Sequence, residues 1–227
     1  MAEERSVFIT GGNRGIGLSF VSEYLRLGWK VYASVRKSES LKIYKGNPNL
    51  EVIQMDLSNL ESIHELDSLD HQFDLIINNA AVYGGKKQNL HDFDENIWLE
   101  TCLINFIRPL LVTQKLIPKL KINGQKKIIF LSSKMGSITD NSSGGSLIYR
   151  STKAALNQMV KSLSISLSSN GISVVAVHPG WVKTDMGGPQ ALISADDSVK
   201  SLIKTIASLG SEDSGSFVNY DGAHIPW

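Results

Sequence analysis

A tyrosine and a lysine four residues apart, Tyr149 and Lys153, stand in the run Tyr149-Arg150-Ser151-Thr152-Lys153-Ala154-Ala155. On a helix that spacing puts both side chains on one face, so a phenol and an ammonium can share a site. A phenol ordinarily titrates near ~10 and exchanges protons sluggishly at neutral pH. A nearby ammonium favours the phenolate. Bringing the phenol to working pH takes roughly 4 kcal/mol of differential interaction, which one lysine at ~4 to 6 Å in a partly dry site can largely supply. Such pairs are common on amphipathic helices, so the chemistry needs a further group. The apolar run Lys127-Ile128-Ile129-Phe130-Leu131 leads straight into Ser132-Ser133. That order puts the Ser133 hydroxyl at a strand's carboxyl end, where it can steady a substrate oxygen while Tyr149 passes the proton.

A second cluster has the chemistry of binding. Thr10-Gly11-Gly12-Asn13-Arg14-Gly15-Ile16-Gly17 follows a short apolar run and opens an amphipathic segment. Glycines let the backbone approach a pyrophosphate, and a helix N-terminus offers free N–H groups and a positive dipole end. The spacing is G-x-x-x-G-x-G rather than G-x-G-x-x-G, which leaves an ordinary strand-to-helix turn open as an alternative; no G-K-[ST] follows, which disfavours a P-loop. The next strand-like run ends Ala33-Ser34-Val35-Arg36, where an NAD-preferring protein would carry an acid for the ribose hydroxyls. Arg36 there and Arg14 in the turn offer two guanidinium groups to a 2′-phosphate, so NADP(H) is expected in preference to NAD(H).

The elements that must hold these groups alternate along the chain. Short β-branched runs occur at Ser6 to Thr10, Lys30 to Val35, Glu51 to Met55, Leu75 to Asn78, Lys127 to Leu131 and Ser173 to Val177. Runs apolar at nearly every position suit strands covered on both faces. Between them lie helical spacings: Ile16, Phe20 and Tyr24 before a stop at Gly28, and Leu156, Val160, Leu163 and Leu167. Strand–helix alternation predicts an α/β, doubly wound parallel sheet with helices on both faces, a Rossmann fold, in one domain over residues 1–227. Thr139 to Ser146 and Gly210 to Ser216 read as loops within it.

These motifs in this order resemble the short-chain dehydrogenase/reductase family, over nearly the whole chain. TGGNRGIG is similar to the family's cofactor turn, which implies contacts from Gly11, Asn13, Arg14, Gly15, Ile16 and Gly17. Asp56-Leu57 resembles the pair that contacts adenine. Asn78-Asn79-Ala80-Ala81 resembles the family's Asn-Asn-Ala-Gly, with Ala81 in place of the last glycine, and implies that Asn79, Ala80 and Ala81 line the cofactor. The likeness makes Asn105 the supporter of a water beside the active-site lysine, and so completes a tetrad of Ser133, Tyr149, Lys153 and Asn105. His178-Pro179-Gly180-Trp181-Val182-Lys183-Thr184 resembles the loop that holds the nicotinamide and pyrophosphate, through Pro179, Gly180, Val182 and Thr184. By the same likeness Tyr149 and Lys153 also touch the cofactor, and the reaction is hydride transfer to a ketone or aldehyde, or from the alcohol. The ending, from Ser214 to Phe217 and from Asp221 to Trp227, is similar to the small carbonyl-reductase branch related to sniffer and the bacterial C-factor. Dimers or tetramers through the helices bearing Asn105 and Tyr149 are implied. A cofactor-binding sensor with little turnover is the alternative, and a pteridine or quinone substrate is a variant of the enzyme reading.

Bulk properties exclude other classes. The 227 residues carry a formal charge of +1 with no long basic run, so neither nucleic acid nor an anionic membrane is an expected partner; a small carbonyl or alcohol is. The single Cys102, the absence of a leader pattern in MAEERSVFITGG and the absence of a run of ~20 apolar residues point to the cytoplasm. The five histidines have no metal-ligand spacing, so no metal is expected. Asp92, Asp94 and Glu95 suit a helix N-terminus, and Ser137 lies in the polar loop, off the strand end. Sixteen positions separate Ser133 from Tyr149, and the segment after Thr184 is short for a lid.

Overall fold

The protein's structure is a computed structural model that describes residues 4–37, 41, 44–122, 124 and 126–227. Met1 to Glu3, where the leader reading began, lie outside the described residues. The strands are β1 (Ser6–Thr10), β2 (Lys30–Val35), β3 (Leu50–Gln54), β4 (Leu75–Asn78), β5 (Lys127–Leu131), β6 (Ser173–His178) and β7 (Phe217–Asn219). They form one parallel sheet in the order β3-β2-β1-β4-β5-β6-β7. The helices are α1 (Gly15–Arg26), α2 (Leu60–His64), α3 (Glu95–Cys102), α4 (Arg108–Leu116), α5 (Leu147–Ser166) and α6 (Ala195–Ser208). The expected doubly wound sheet is therefore present.

Side-chain alternation explains why apolar runs without polar positions become central strands. Val7, Ile9, Leu75, Ile77, Ile129, Val175 and Val177 point to one face, against Phe20, Val21 and Tyr24 of α1 and Leu202 and Ile206 of α6. Phe8, Ile76, Ile128, Phe130, Val174 and Ala176 point to the other, against Val112 and Leu116 of α4 and Leu156 and Val160 of α5. Each aliphatic side chain taken fully out of water contributes about 1.5 to 3 kcal/mol. The two layers hold the strand ends in fixed register.

Local signals set the helix ends. Leu27 and Gly28, at φ +75°, close α1. Asp94 accepts from the N–H groups of Asn96 (2.8 Å) and Ile97 (3.2 Å) and so caps α3, which is the role expected of that acidic stretch. Between α3 and α4 the helix widens into a π turn, Leu103–Ile107, that turns Asn105 inward. Three strands differ from the sequence reading. β3 runs Leu50–Gln54, one residue earlier than expected, β6 extends to His178, and β7 was not foreseen because its three residues are too few for an alternation pattern. Among the described residues no helix is long and apolar enough to cross a membrane.

β1 lies between β2 and β4, so the direction in which strands are added reverses there. Loops leaving β1 and β4 diverge at such a switch point and open a crevice at the carboxyl edge.

Candidate active site

All of the expected cofactor and proton-transfer residues except Asn105 line one cleft of about 890 Å³ at this edge, within the usual range for a small-molecule site. Across the sheet, Asp56 and Leu57 follow β3 and Arg36 follows β2. The turn residues Gly11, Asn13, Arg14, Gly15, Ile16 and Gly17 follow β1, and Asn79, Ala80 and Ala81 follow β4. Ser133 follows β5, with Tyr149 and Lys153 on α5 beside it, and Pro179, Gly180, Val182 and Thr184 follow β6.

The glycine turn is tied to β4. Thr10 Oγ1 accepts from the N–H groups of Asn79 (2.9 Å) and Ala80 (3.0 Å), while Asn79 Nδ2 donates to the carbonyls of Thr10 (2.8 Å) and Gly11 (3.2 Å). A Cβ on Gly17 would lie 2.0 Å from Gly11 O, so only glycine lets α1 start against the turn. Gly11 and Gly15 take left-handed φ of +70° and +51°. Unlike α3 and α6, α1 begins with no side-chain cap and no acid in its first turn. Its terminal N–H groups are left for an anion. Arg36 is exposed just past β2. Arg14 Nη1 pairs with Asp185 Oδ2 at 2.7 Å across the mouth, with both side chains mostly exposed. An anion-ready helix start flanked by two guanidinium groups fits a phosphorylated dinucleotide. The Asp56 carboxylate turns back to Ser58, accepting from its N–H (2.9 Å) and hydroxyl (2.8 Å).

At the other end the strand-end serine, the phenol and the amine are brought together. Ser133 Oγ accepts from Met135 N at 3.2 Å in the 3-10 turn Lys134–Gly136. That turn presses on α5 so closely that a Cβ on Gly136 would sit 2.8 Å from Lys153 C and Cβ. Lys153 Nζ lies 5.8 Å from the Tyr149 ring centroid and donates to Leu131 O at 2.8 Å. Burial pushes the Tyr149 phenol up to about 12; a hydrogen bond with Ser133 pulls the other way, and Tyr83 adds to the rise. Burial also lowers Lys153 to about 7. The expectation that Lys153 depresses the phenol is not met in this arrangement. An amine titrating near neutrality carries only a partial charge, and its hydrogen bond goes to the end of β5.

Asn105 stands behind the wall. Its Oδ1 accepts from Val82 N (2.9 Å), and its Nδ2 donates to Val82 O (2.9 Å) and Thr152 Oγ1 (3.0 Å). Thr152 in turn donates to Tyr149 O at 3.0 Å. The side chain thus fastens the loop after β4 to the first turns of α5.

Several lining residues were not picked out from the sequence: Tyr83, Met135, Trp181 and Met186. The Tyr83 ring lies 4.9 Å from that of Tyr149, and Trp181 is half exposed with its Nε1 donating to Gly187 O. Neither shows a sequence signal, because each reaches the cleft from a loop. His178 also lines it; its Nδ1 has no partner among the described residues, and burial together with Lys134 and Lys153, against an opposing Asp140, lowers its pKa to about 4. Ser137 serves elsewhere, donating to Pro226 O at 2.6 Å, and Trp227 packs on Phe217. The short segment after Thr184 folds back, with Val182 bridged to Ile193 and Lys183 N donating to Ile193 O.

Comparison with known proteins agrees with this geometry. The family model described as short chain dehydrogenase matches residues 5–192. The C-signal protein of Myxococcus xanthus is 42% identical over 154 residues, covering 68% of this chain and 92% of the relative. The carbonyl reductase Sniffer of D. melanogaster superposes with a TM-score of 0.92 at 33% identity, covering 99% of this chain and 100% of that one. The NADPH-bound carbonyl reductase from chicken fatty liver gives 0.89 at 32% identity, covering 99% of each.

Proposed function

The chain belongs to the short-chain dehydrogenase family and is an oxidoreductase of carbonyl-reductase type, and from that premise we propose that it reduces a ketone or aldehyde with NADPH, with Tyr149 as the proton donor. The observation that carries the reading is the meeting of Ser133, Tyr149 and Lys153 at one end of a cleft whose other end is an uncapped helix start beside Arg14 and Arg36. The 2′-phosphate preference rests on those two arginines and on Val35 and Arg36 standing at the end of β2 in place of an acid. NADP-bound relatives of the same fold support it. When bound, NADPH supplies the hydride.

The residues of the chain do the rest. Ser133 donates to the substrate oxygen and fixes its place beside the phenol. A phenol held near 12 stays protonated at neutral pH, so Tyr149 has a proton to give in the reducing direction and the drive for transfer comes from the more basic oxygen that accepts it. The oxygen of the newly formed alkoxide is a stronger base than a phenolate, so the proton passes from Tyr149 Oη to it. Lys153 in its protonated form stabilises the phenolate that this transfer leaves. Asn105 holds the frame through Val82 and Thr152. The adenosine end is assigned to Arg36, Asp56 and Leu57, and the nicotinamide end to Asn79 to Ala81 and to Pro179, Gly180, Val182 and Thr184.

Initial rates of NADPH and NADH oxidation with a panel of aldehydes, ketones and quinones test the assignment. Turnover with NADPH at a kcat/KM well above that with NADH is expected; equal or greater use of NADH rejects the cofactor preference. The signalling name of one relative favours a second reading, an NADP(H)-binding signal protein; tight NADPH binding without turnover across the panel would select it. Leu99, Leu103, Ile107 and Leu110, exposed along α3, the π turn and α4, support assembly as a dimer or tetramer. Light scattering after gel filtration measures that state.

A further inference from the structure

Helix α5, which carries Tyr149 and Lys153, starts without a cap of its own. Ser146, the residue type that usually caps a helix, sits at left-handed φ of +46° and makes no capping bond. Its hydroxyl is instead 2.9 Å from the Tyr83 hydroxyl. The capping is done from 61 positions away. Gln88 Oε1 accepts from Tyr149 N at 2.9 Å, and the Gln88 backbone carbonyl accepts from Leu147 N at 3.0 Å. The other end of the same amide donates to Tyr83 O (2.9 Å) and Gly85 O (2.8 Å). Gln88 is 3% exposed although it lies in a loop.

This amide therefore joins two objects at the substrate end of the cleft. One is the backbone of Tyr149 itself. The other is the segment Tyr83–Gly85, whose tyrosine ring lies against the Tyr149 ring. With Asn105 holding Val82 and Thr152, the first two turns of α5 hang from the loop after β4 at two points about one helical turn apart. Proton transfer tolerates little displacement of donor from acceptor.

We infer that Gln88 is a positioning residue for proton transfer, setting the place of Tyr149 and keeping Tyr83 against it. Resting on Tyr149 as the proton donor, the inference separates Gln88 from the glycine turn and the loops after β2, β3 and β6, with none of whose cofactor-binding residues it makes a hydrogen bond. Gln88→Leu keeps the size and removes both functions of the amide, while the bond from Leu147 to the backbone carbonyl survives. Gln88→Glu keeps an acceptor for Tyr149 N. When protonated it also restores one donor, and when ionised it sets a carboxylate against the carbonyls of Tyr83 and Gly85.

The test compares wild type, Gln88→Leu, Gln88→Glu and Tyr149→Phe in carbonyl-dependent NADPH oxidation from pH 5.5 to 9, with NADPH Kd by fluorescence and Tm on each protein. Expected for Gln88→Leu is a kcat lowered ~10-fold or more with NADPH Kd within ~2-fold of wild type. Gln88→Glu is expected to approach wild-type kcat at the acid end and to lose it as pH rises, a profile that loss of fold alone does not produce at constant Kd. If Gln88→Leu does not fold, the Gln88→Glu profile decides. Unchanged kcat in Gln88→Leu, a loss matched by weaker NADPH binding, or a Gln88→Glu profile parallel to wild type overturns the inference. Full activity in Gln88→Leu beside an inactive Tyr149→Phe rejects the inference and leaves the reading of Tyr149 standing. Retained turnover in Tyr149→Phe rejects both.

Discussion

Lys153→Met removes an amine that burial lowers from an ordinary 10.5 to about 7. Between those two values the unfolded chain binds a proton that the folded chain does not, so this group opposes folding. The penalty is fully present below about 7 and disappears above 10.5, and stability from this source therefore rises with pH across that window. From pH 7 to pH 9 the rise is about 2 kcal/mol, allowing for half-protonation of the folded amine at pH 7. The bond from Nζ to Leu131 O is lost in the variant at every pH and adds a constant offset. Urea unfolding of wild type and Lys153→Met at pH 7, 8 and 9, without added cofactor, gives the difference directly, since other titrating groups largely cancel. Wild-type stability should gain about 2 kcal/mol on the variant over the two units. A difference flat to within ~0.3 kcal/mol per pH unit would mean that the folded protein keeps Lys153 charged. The account of its burial, and of its poise for the phenolate, would then be refuted.

Two other substitutions probe the opposite end of the cleft. Arg36→Asp places an acid where ribose hydroxyls would meet it and should lower the NADPH-to-NADH ratio of kcat/KM by ~10- to 100-fold; an unchanged ratio would remove Arg36 from the phosphate site. Asp185→Asn frees Arg14 from an exposed pair, and because such pairs are weak, NADPH Kd should tighten only ~2- to 5-fold with NADH unaffected, as read by fluorescence titration. Equal effects on both cofactors would show that Arg14 does not meet the 2′-phosphate.

The sequence was most informative where chemistry and strand ends coincide. Five of the seven strands could be placed because their two-sided burial demands unbroken apolar runs, as at Lys127–Leu131, and the partly buried edge strand β3 was found from its β-branched Val52 and Ile53. Ser133, Tyr149 and Lys153 could be found because a strand end and a four-residue helical spacing fix their directions. The short edge strand Phe217–Asn219 could not, since its burial depends on β6 and on the packing of Trp227. Gln88 and Tyr83 were equally silent. Their roles arise only when the loop after β4 returns to the start of α5, a non-local contact with no periodicity to betray it. The direction of the Tyr149 shift was misjudged for a related reason: four-residue spacing shows that the amine and phenol are neighbours, but not how completely both leave water.

Tyr149→Phe removes one hydroxyl and leaves the ring that packs on Tyr83. Measured side by side on wild type and this variant, NADPH Kd and carbonyl-dependent kcat test proton donation most directly. The account predicts Kd within ~2-fold and kcat lower by ~100-fold or more. A variant that binds NADPH normally and still turns over within ~10-fold of wild type would contradict it.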